Sequence, residues 1–197
     1  MKKIVLSETG VETSVSVLYE VFRKPGAVAL VPTETVYGLI ARAGDEVAAR
    51  RIFELKQRPE NKRLGWFVHD WRILPEYGVI LKGLPEQLAA EYTPGALTII
   101  APHENGSTLG FRVPDHPLLS ELLKKIAVPM VQTSANASGK SDPLSCQEAL
   151  SQLSGKVDCV VDGGELPPGA RGSTVVNACG EKAEILRQGA VDLQKWL

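Results

Sequence analysis

A chain of 197 residues, 44% of them hydrophobic, is long enough to bury one full core and too short to divide into two ordinary domains. Its 22 basic and 23 acidic side chains leave a formal net charge of -1, which excludes an overall electrostatic footprint for nucleic acid or an anionic membrane and leaves only local patches for binding anions. Cys146, Cys159 and Cys179 lack paired spacing, which excludes a disulfide framework or thiolate zinc site, and too few apolar residues follow Met1-Lys2-Lys3 for a signal-peptide core, so a cytoplasmic location is expected.

The spacing of Val15, Leu18 and Phe22 predicts an amphipathic helix. A β-rich run at 27 to 31 follows and ends in the polar Pro32-Thr33-Glu34-Thr35-Val36-Tyr37-Gly38-Leu39. Ala48, Ile52 and Leu55 predict a second helix, closed by Lys56-Gln57-Arg58-Pro59, with Lys62-Arg63 one short loop later. Lys56, Arg58, Lys62 and Arg63 then crowd a segment whose single acid is Glu60. They read as exposed cations at a helix end, of little weight in folding, and phosphate is the natural partner to relieve their repulsion, because arginine binds it as a fork and lysine as a point charge.

Further β-rich runs lie at 64 to 68, 97 to 101 and 109 to 113, before a helix carried by Leu119, Leu122, Leu123 and Ile126. Val128-Pro129-Met130-Val131 reads as a buried strand, and Thr133-Ser134-Ala135-Asn136-Ala137-Ser138-Gly139 as a turn of small hydrogen-bonding residues at its carboxyl end, where ligands of open α/β sheets bind. Such residues also satisfy their own backbone in ordinary loops. Runs at 158 to 162 and 173 to 177 complete an interleaved helix and strand pattern, which argues an α/β fold.

Rival motifs fail. Gly139-Lys140-Ser141 resembles the end of a P-loop, but position 134 is serine where that loop requires glycine. No dinucleotide fingerprint, nucleophile elbow or zinc-protease helix is present. His69, His103 and His116 lack ligand spacing, so no protein-only metal site is expected, and Asp162-Gly163-Gly164 reads as a plain turn.

Pro32 to Leu39, Lys56 to Pro59, Phe111-Arg112-Val113-Pro114, Thr133 to Gly139, Asp162 to Gly164, Gly172-Ser173-Thr174-Val175-Val176 and Ile185-Leu186-Arg187-Gln188-Gly189 together resemble the YrdC-like threonylcarbamoyl-adenylate synthase family, in that family's order. The resemblance spans about residues 26 to 189 and implies one YrdC-like domain over 1–197: an α/β fold with a twisted, open mixed sheet and flanking helices around a large concave pocket. It implies condensation of L-threonine, bicarbonate or carbon dioxide, and ATP into threonylcarbamoyl-adenylate and pyrophosphate. Mg²⁺ arrives with the ATP, and tRNA-modifying partner proteins accept the adenylate.

Carried over residue by residue, Thr33 is the position that contacts substrate threonine and Arg112 the one that faces its carboxylate. Lys56, Arg58 and Lys62 are triphosphate ligands, Lys56 and Arg58 being the catalytic cations. Thr108, Ser134, Asn136, Ser173 and Arg187 line the adenylate pocket. This chain has Thr93-Pro94-Gly95-Ala96 where many members have Trp-Pro-Gly-Pro, which is similar to the YciO branch, and Phe67 where many have histidine. Two alternatives stay open: a double-stranded RNA or tRNA binding module of the YciO branch, using the same cations for backbone phosphates, and a carbamoyl-transfer accessory domain similar to those in hydrogenase-maturation proteins.

Overall fold

The computed structural model describes residues 1–59 and 62–197; Glu60, the acid counted in the basic segment, lies outside the described residues. Along the chain run β1 (Lys2–Val5), α1 (Leu6–Thr9), α2 (Val11–Phe22), β2 (Ala29–Val31), β3 (Gly38–Arg42), α3 (Glu46–Lys56) and β4 (Gly65–Phe67). A 3₁₀ turn (Trp71–Tyr77), α4 (Leu84–Tyr92), β5 (Leu97–Pro102), β6 (Thr108–Arg112) and α5 (Pro117–Ile126) follow. The chain continues through β7 (Met130–Ser134), α6 (Cys146–Gln152), β8 (Cys159–Asp162), β9 (Thr174–Asn177) and β10 (Glu184–Arg187). Among the described residues the strands form one ten-stranded mixed sheet, ordered β1-β8-β2-β3-β7-β4-β6-β5-β9-β10, in keeping with the α/β reading and with the mixed sheet that the resemblance implies.

Alternation along each strand sends successive side chains to opposite faces, and here it sorts the whole molecule. On one face, Ala29 and Val31 of β2, Ile40 of β3 and Cys159 and Val161 of β8 pack against Leu18 and Phe22 of α2 and Leu119, Leu122 and Leu123 of α5. On the other face, Leu30, Leu39 and Val160 meet Ala48, Ile52 and Leu55 of α3 and Ala149 of α6. Farther along that second face, Leu97, Ile99, Phe111 and Val176 lie under Leu74 of the 3₁₀ turn and Leu88 of α4. Among the described residues the helix-covered core of the first face ends at Phe67 of β4. There the strands turn Gln132 and Ser134 (β7), Gly65 and Phe67 (β4), Thr108, Gly110 and Arg112 (β6), Thr98 and Ile100 (β5) and Val175 (β9) toward an open cavity.

No helix among the described residues is long and apolar enough to cross a membrane. One expectation shifts: Thr133 and Ser134 belong to β7 itself, paired with Leu39 and Gly38 of β3. The turn therefore starts only after them.

Candidate active site

The cavity, about 290 Å³, is lined by Thr33, Arg58, Thr108, Arg112, Ser134, Ser173 and Arg187 of the expected set, and also by Thr35, Arg63, Phe67, Thr98 and Gln132. Arginine supplies every charge on its wall: no Asp, Glu, His, Cys or Lys lines it among the described residues. Nor do three His, Cys, Asp or Glu side chains gather anywhere among them to hold a metal.

One wall is the loop from Pro32 to Gly38. Thr33 Oγ1 accepts from the Thr35 and Val36 amides at 3.0 and 3.1 Å and donates to the Val36 carbonyl at 2.7 Å. That hydroxyl is spent on a local turn of the kind threonine favours, so Thr33 supports the wall more than it offers a free donor. Tyr37 fixes the loop from below, accepting from the Gly163 amide at 2.9 Å and donating to the Gly164 carbonyl at 2.7 Å. Burial pushes its phenol up to about 12. Gly163 has to be glycine, because a Cβ there would stand 2.7 Å from Pro32 Cγ.

Arg112 closes one end of the cavity. It is 3% exposed, donates through Nε to the Gly95 carbonyl at 3.0 Å and through Nη1 to Thr35 Oγ1 at 3.1 Å, and ion-pairs with Glu34 through Nη2. Its guanidinium carbon lies 5.5 Å over the Phe67 ring. Burial lowers its pKa and the Glu34 charge opposes that shift. With Nε and Nη1 each donating once and Nη2 ion-paired with Glu34, not all five N–H donors of the guanidinium are used, so the cation retains capacity for an incoming carboxylate.

The other end is basic by a different device. Asp45 caps the start of α3, accepting from the Ala48 amide at 2.9 Å, and the helix closes when Gln57 takes the left-handed conformation at φ 49°. This reversal parts two neighbouring cations. Lys56, the last helical residue, turns inward, whereas Arg58 emerges at the cavity and donates to the Arg63 carbonyl at 3.1 Å. Arg63 reaches across to the Thr108 carbonyl.

Lys56 therefore corrects the expectation of an exposed cation: it is 1% exposed and does not line the cavity. Its ammonium donates to the Ser134 carbonyl, to the Asn136 carbonyl at 2.7 Å and to Asn136 Oδ1 at 3.2 Å. Burial, with the Arg58 charge, lowers its pKa to about 8, against a smaller pull from Asp142. Asn136 also stands behind the wall, donating to the Lys140 carbonyl at 2.7 Å and accepting from Ser134 Oγ at 2.5 Å. Lys62 is exposed and outside the lining.

The third side is Ser173 and Arg187. Ser173 Oγ shares a hydrogen bond with Thr98 Oγ1 at 2.7 Å, and Arg187 donates to the Ser173 carbonyl at 3.1 Å and to its hydroxyl at 3.3 Å. The residues that sequence reasoning missed, Thr35, Thr98 and Gln132, are polar members of otherwise apolar strands or of the Thr33 turn. Alternation along Leu97-Thr98-Ile99-Ile100 and Met130-Val131-Gln132 is the signal that points to two of them.

Residues 21–189 match the family model for the Sua5, YciO and YrdC proteins, described as telomere recombination. The threonylcarbamoyl-AMP synthase of Pyrococcus abyssi is 34% identical over 186 residues, which are 88% of this chain and 54% of that protein. A putative threonylcarbamoyl-AMP synthase of Methanocaldococcus jannaschii is 32% identical over 177 residues, 86% of this chain and 83% of the relative. This chain thus spans about half the length of the first and most of the second. Among solved structures, P. abyssi Sua5 complexed with L-threonine superimposes with a TM-score of 0.81 at 30% identity, over 98% of this chain and 58% of that one. E. coli YciO gives 0.81 at 27% identity, over 93% and 92% of the two chains. With the family model matching residues 21–189 and a relative 32% identical over most of both chains, the chain belongs to the Sua5/YciO/YrdC family.

Proposed function

We propose that this chain is an L-threonylcarbamoyladenylate synthase, a nucleotidyltransferase that joins L-threonine, bicarbonate or carbon dioxide, and MgATP. The observation that carries the reading is the distribution of charge in the cavity: a buried arginine with spare donor capacity at one end, Arg58 and Arg63 at the other, and, among the described residues, hydroxyls but no carboxylate, histidine, cysteine or lysine between them. The threonine complex of the Pyrococcus relative supports an amino-acid site in the same fold.

In this reading Arg112 takes the threonine carboxylate. Arg58 and Arg63 meet the phosphates, and Ser134, Thr108, Ser173 and Arg187 surround the rest of the nucleotide. Lys56 acts through the Ser134 to Asn136 segment that it holds, with Asn136 beside it, and Lys62 adds charge at the rim. The threonine amine attacks the carbon of carbon dioxide, forming an N–C bond and releasing a proton, to give a carbamate. A carbamate oxygen then attacks the α-phosphorus of ATP, the bond to the β-phosphate oxygen breaks, and pyrophosphate leaves. Both reactants are anions, so the protein's part is alignment and charge neutralisation. Mg²⁺ would enter as part of the MgATP substrate, where it would offset phosphate charge. The adenylate then passes to a tRNA-modifying partner protein in the cytoplasm.

The test is pyrophosphate release by the purified chain, followed by product mass. Release that requires both threonine and bicarbonate, with a product of the mass of threonylcarbamoyl-AMP, is expected; equal release without them marks a plain ATPase. The alternative, an RNA-binding module, predicts RNA retention that saturating MgATP leaves unchanged, whereas a shared arginine site predicts displacement.

A further inference from the structure

Gln132 stands apart from its neighbours in the cavity: its carboxamide makes no hydrogen bond to any described residue. Its position follows from strand register. Gln132 of β7 pairs with Gly65 of β4, and β4 pairs with β6 through Trp66 with Phe111 and Phe67 with Arg112, which puts Gly110 on the row of Gly65 and Gln132. On β6, Arg112 lies two residues from Gly110 in one direction and Thr108, with Arg63 bonded to it, two residues in the other. Strands about 4.8 Å apart that rise about 3.3 Å per residue therefore aim Gln132 across a floor without side chains at the midpoint between the two cationic ends. A Cβ on Gly65 would stand 2.8 Å from Gln132 Nε2, the movable end of that side chain, so glycine here lets the carboxamide lie over the floor.

We propose that Gln132 contacts the substrate at the reacting centre and holds the carbamate, an inference that rests on the synthase reading above. With the threonine carboxylate at Arg112 and the phosphates at Arg58 and Arg63, the new carbamate lies between them. A carbamate presents an N–H beside one of its two oxygens. A carboxamide matches that edge with two hydrogen bonds, Oε1 accepting the N–H and Nε2 donating to the oxygen, and leaves the second oxygen to attack the α-phosphorus. A neutral amide does this without drawing the anion away from the arginines; a carboxylate at the same place would repel it.

The experiment compares wild type, Gln132→Leu and the near-isosteric Gln132→Glu, each checked for folding by circular dichroism. Threonine and ATP affinities are read by calorimetry, and the bicarbonate dependence of pyrophosphate release by steady-state kinetics. Both variants are expected to lose roughly tenfold or more in kcat/KM for bicarbonate, as two hydrogen bonds of ordinary strength imply, while threonine and ATP dissociation constants stay close to wild type. Unchanged bicarbonate kinetics, or a parallel loss of threonine and ATP affinity, overturns the proposal. A wild-type protein with no threonine-dependent release overturns the synthase reading beneath it, which is a separate result.

Discussion

Lys56 and Arg58 are two residues apart and of like charge, yet the αL turn at Gln57 gives them opposite duties. Lys56→Met removes a buried donor from three acceptors of the Ser134 to Asn136 segment and is expected to cost about 2–3 kcal/mol in urea unfolding, since buried acceptors left unpaired are expensive. Arg58→Ala, at a half-exposed site, is expected to leave the unfolding midpoint almost unchanged and to reduce turnover by about tenfold or more, the scale of one lost charge-assisted contact. Equal losses of stability in the two variants would return Lys56 to the surface role that its spacing suggests. The lowered pKa of Lys56 adds a pH dependence with a definite sign. The folded chain releases this proton near about 8, whereas the unfolded chain keeps it to about 10.4. Between those values the unfolded state binds more protons, so the Lys56 contribution to stability rises with pH. The difference in unfolding free energy between wild type and Lys56→Met should widen from pH 7 to pH 10; a narrowing would mean that the carbonyl cage outweighs desolvation.

At the scale of elements, what was legible in the sequence was what carries its own pattern. The β-rich runs became β2 and β4 to β9, and the three apolar spacings became α2, α3 and α5. β3 escaped because Gly38-Leu39-Ile40-Ala41-Arg42 follows a polar turn and is made a strand by its neighbours β2 and β7. β10 escaped because Glu184-Ile185-Leu186-Arg187 is a mostly exposed edge with only β9 to pair with. The site shows the same division. Ordered motifs pointed to Arg112, Ser134, Ser173 and Arg187, all of which line the cavity, but that Lys56 stands behind the wall depends on a single backbone reversal at Gln57 that spacing does not encode. The segment after β10 shows how an edge is held. Thr174 Oγ1 accepts from the Gly189 and Val191 amides, both at 3.0 Å, and donates to the Val191 carbonyl at 2.9 Å. Gly189 fits only without a side chain, since a Cβ would lie 2.4 Å from the Gly172 carbonyl oxygen. Thr174→Val, nearly isosteric, is therefore expected to cost about 2 kcal/mol in stability through the groups it leaves unpaired. It should also weaken ATP binding in calorimetry, although Thr174 itself is buried outside the cavity, because Arg187 rides on the segment that it clamps. Intact ATP affinity in a destabilised Thr174→Val protein would separate Arg187 from that clamp.

At the scale of the molecule, the cavity lies where the core under α2 and α5 stops and the uncovered part of the same sheet face begins, with Phe67 at the boundary. A ligand that touches β7, β4, β6, β5 and β9 at once ties both halves of the sheet together. Binding to the folded state alone adds about 2.7 kcal/mol at a hundredfold excess over Kd, roughly 5–10 °C in Tm for a chain of this size. Threonine with MgATP is expected to produce such a shift in differential scanning calorimetry and glycine with MgATP a smaller one; identical shifts would remove the amino-acid selectivity. The bare floor at Gly65 and Gly110 has one more consequence, for amide hydrogen exchange. Those glycines are open to the cavity on one face, yet their amides sit in central strands of a ten-stranded ladder, so exchange there has to await opening of the sheet's middle. Deuterium should therefore enter the rim around Arg58 and Arg187 early and the floor late, and added substrates should slow labelling at the rim while leaving the floor, already slow, as it was.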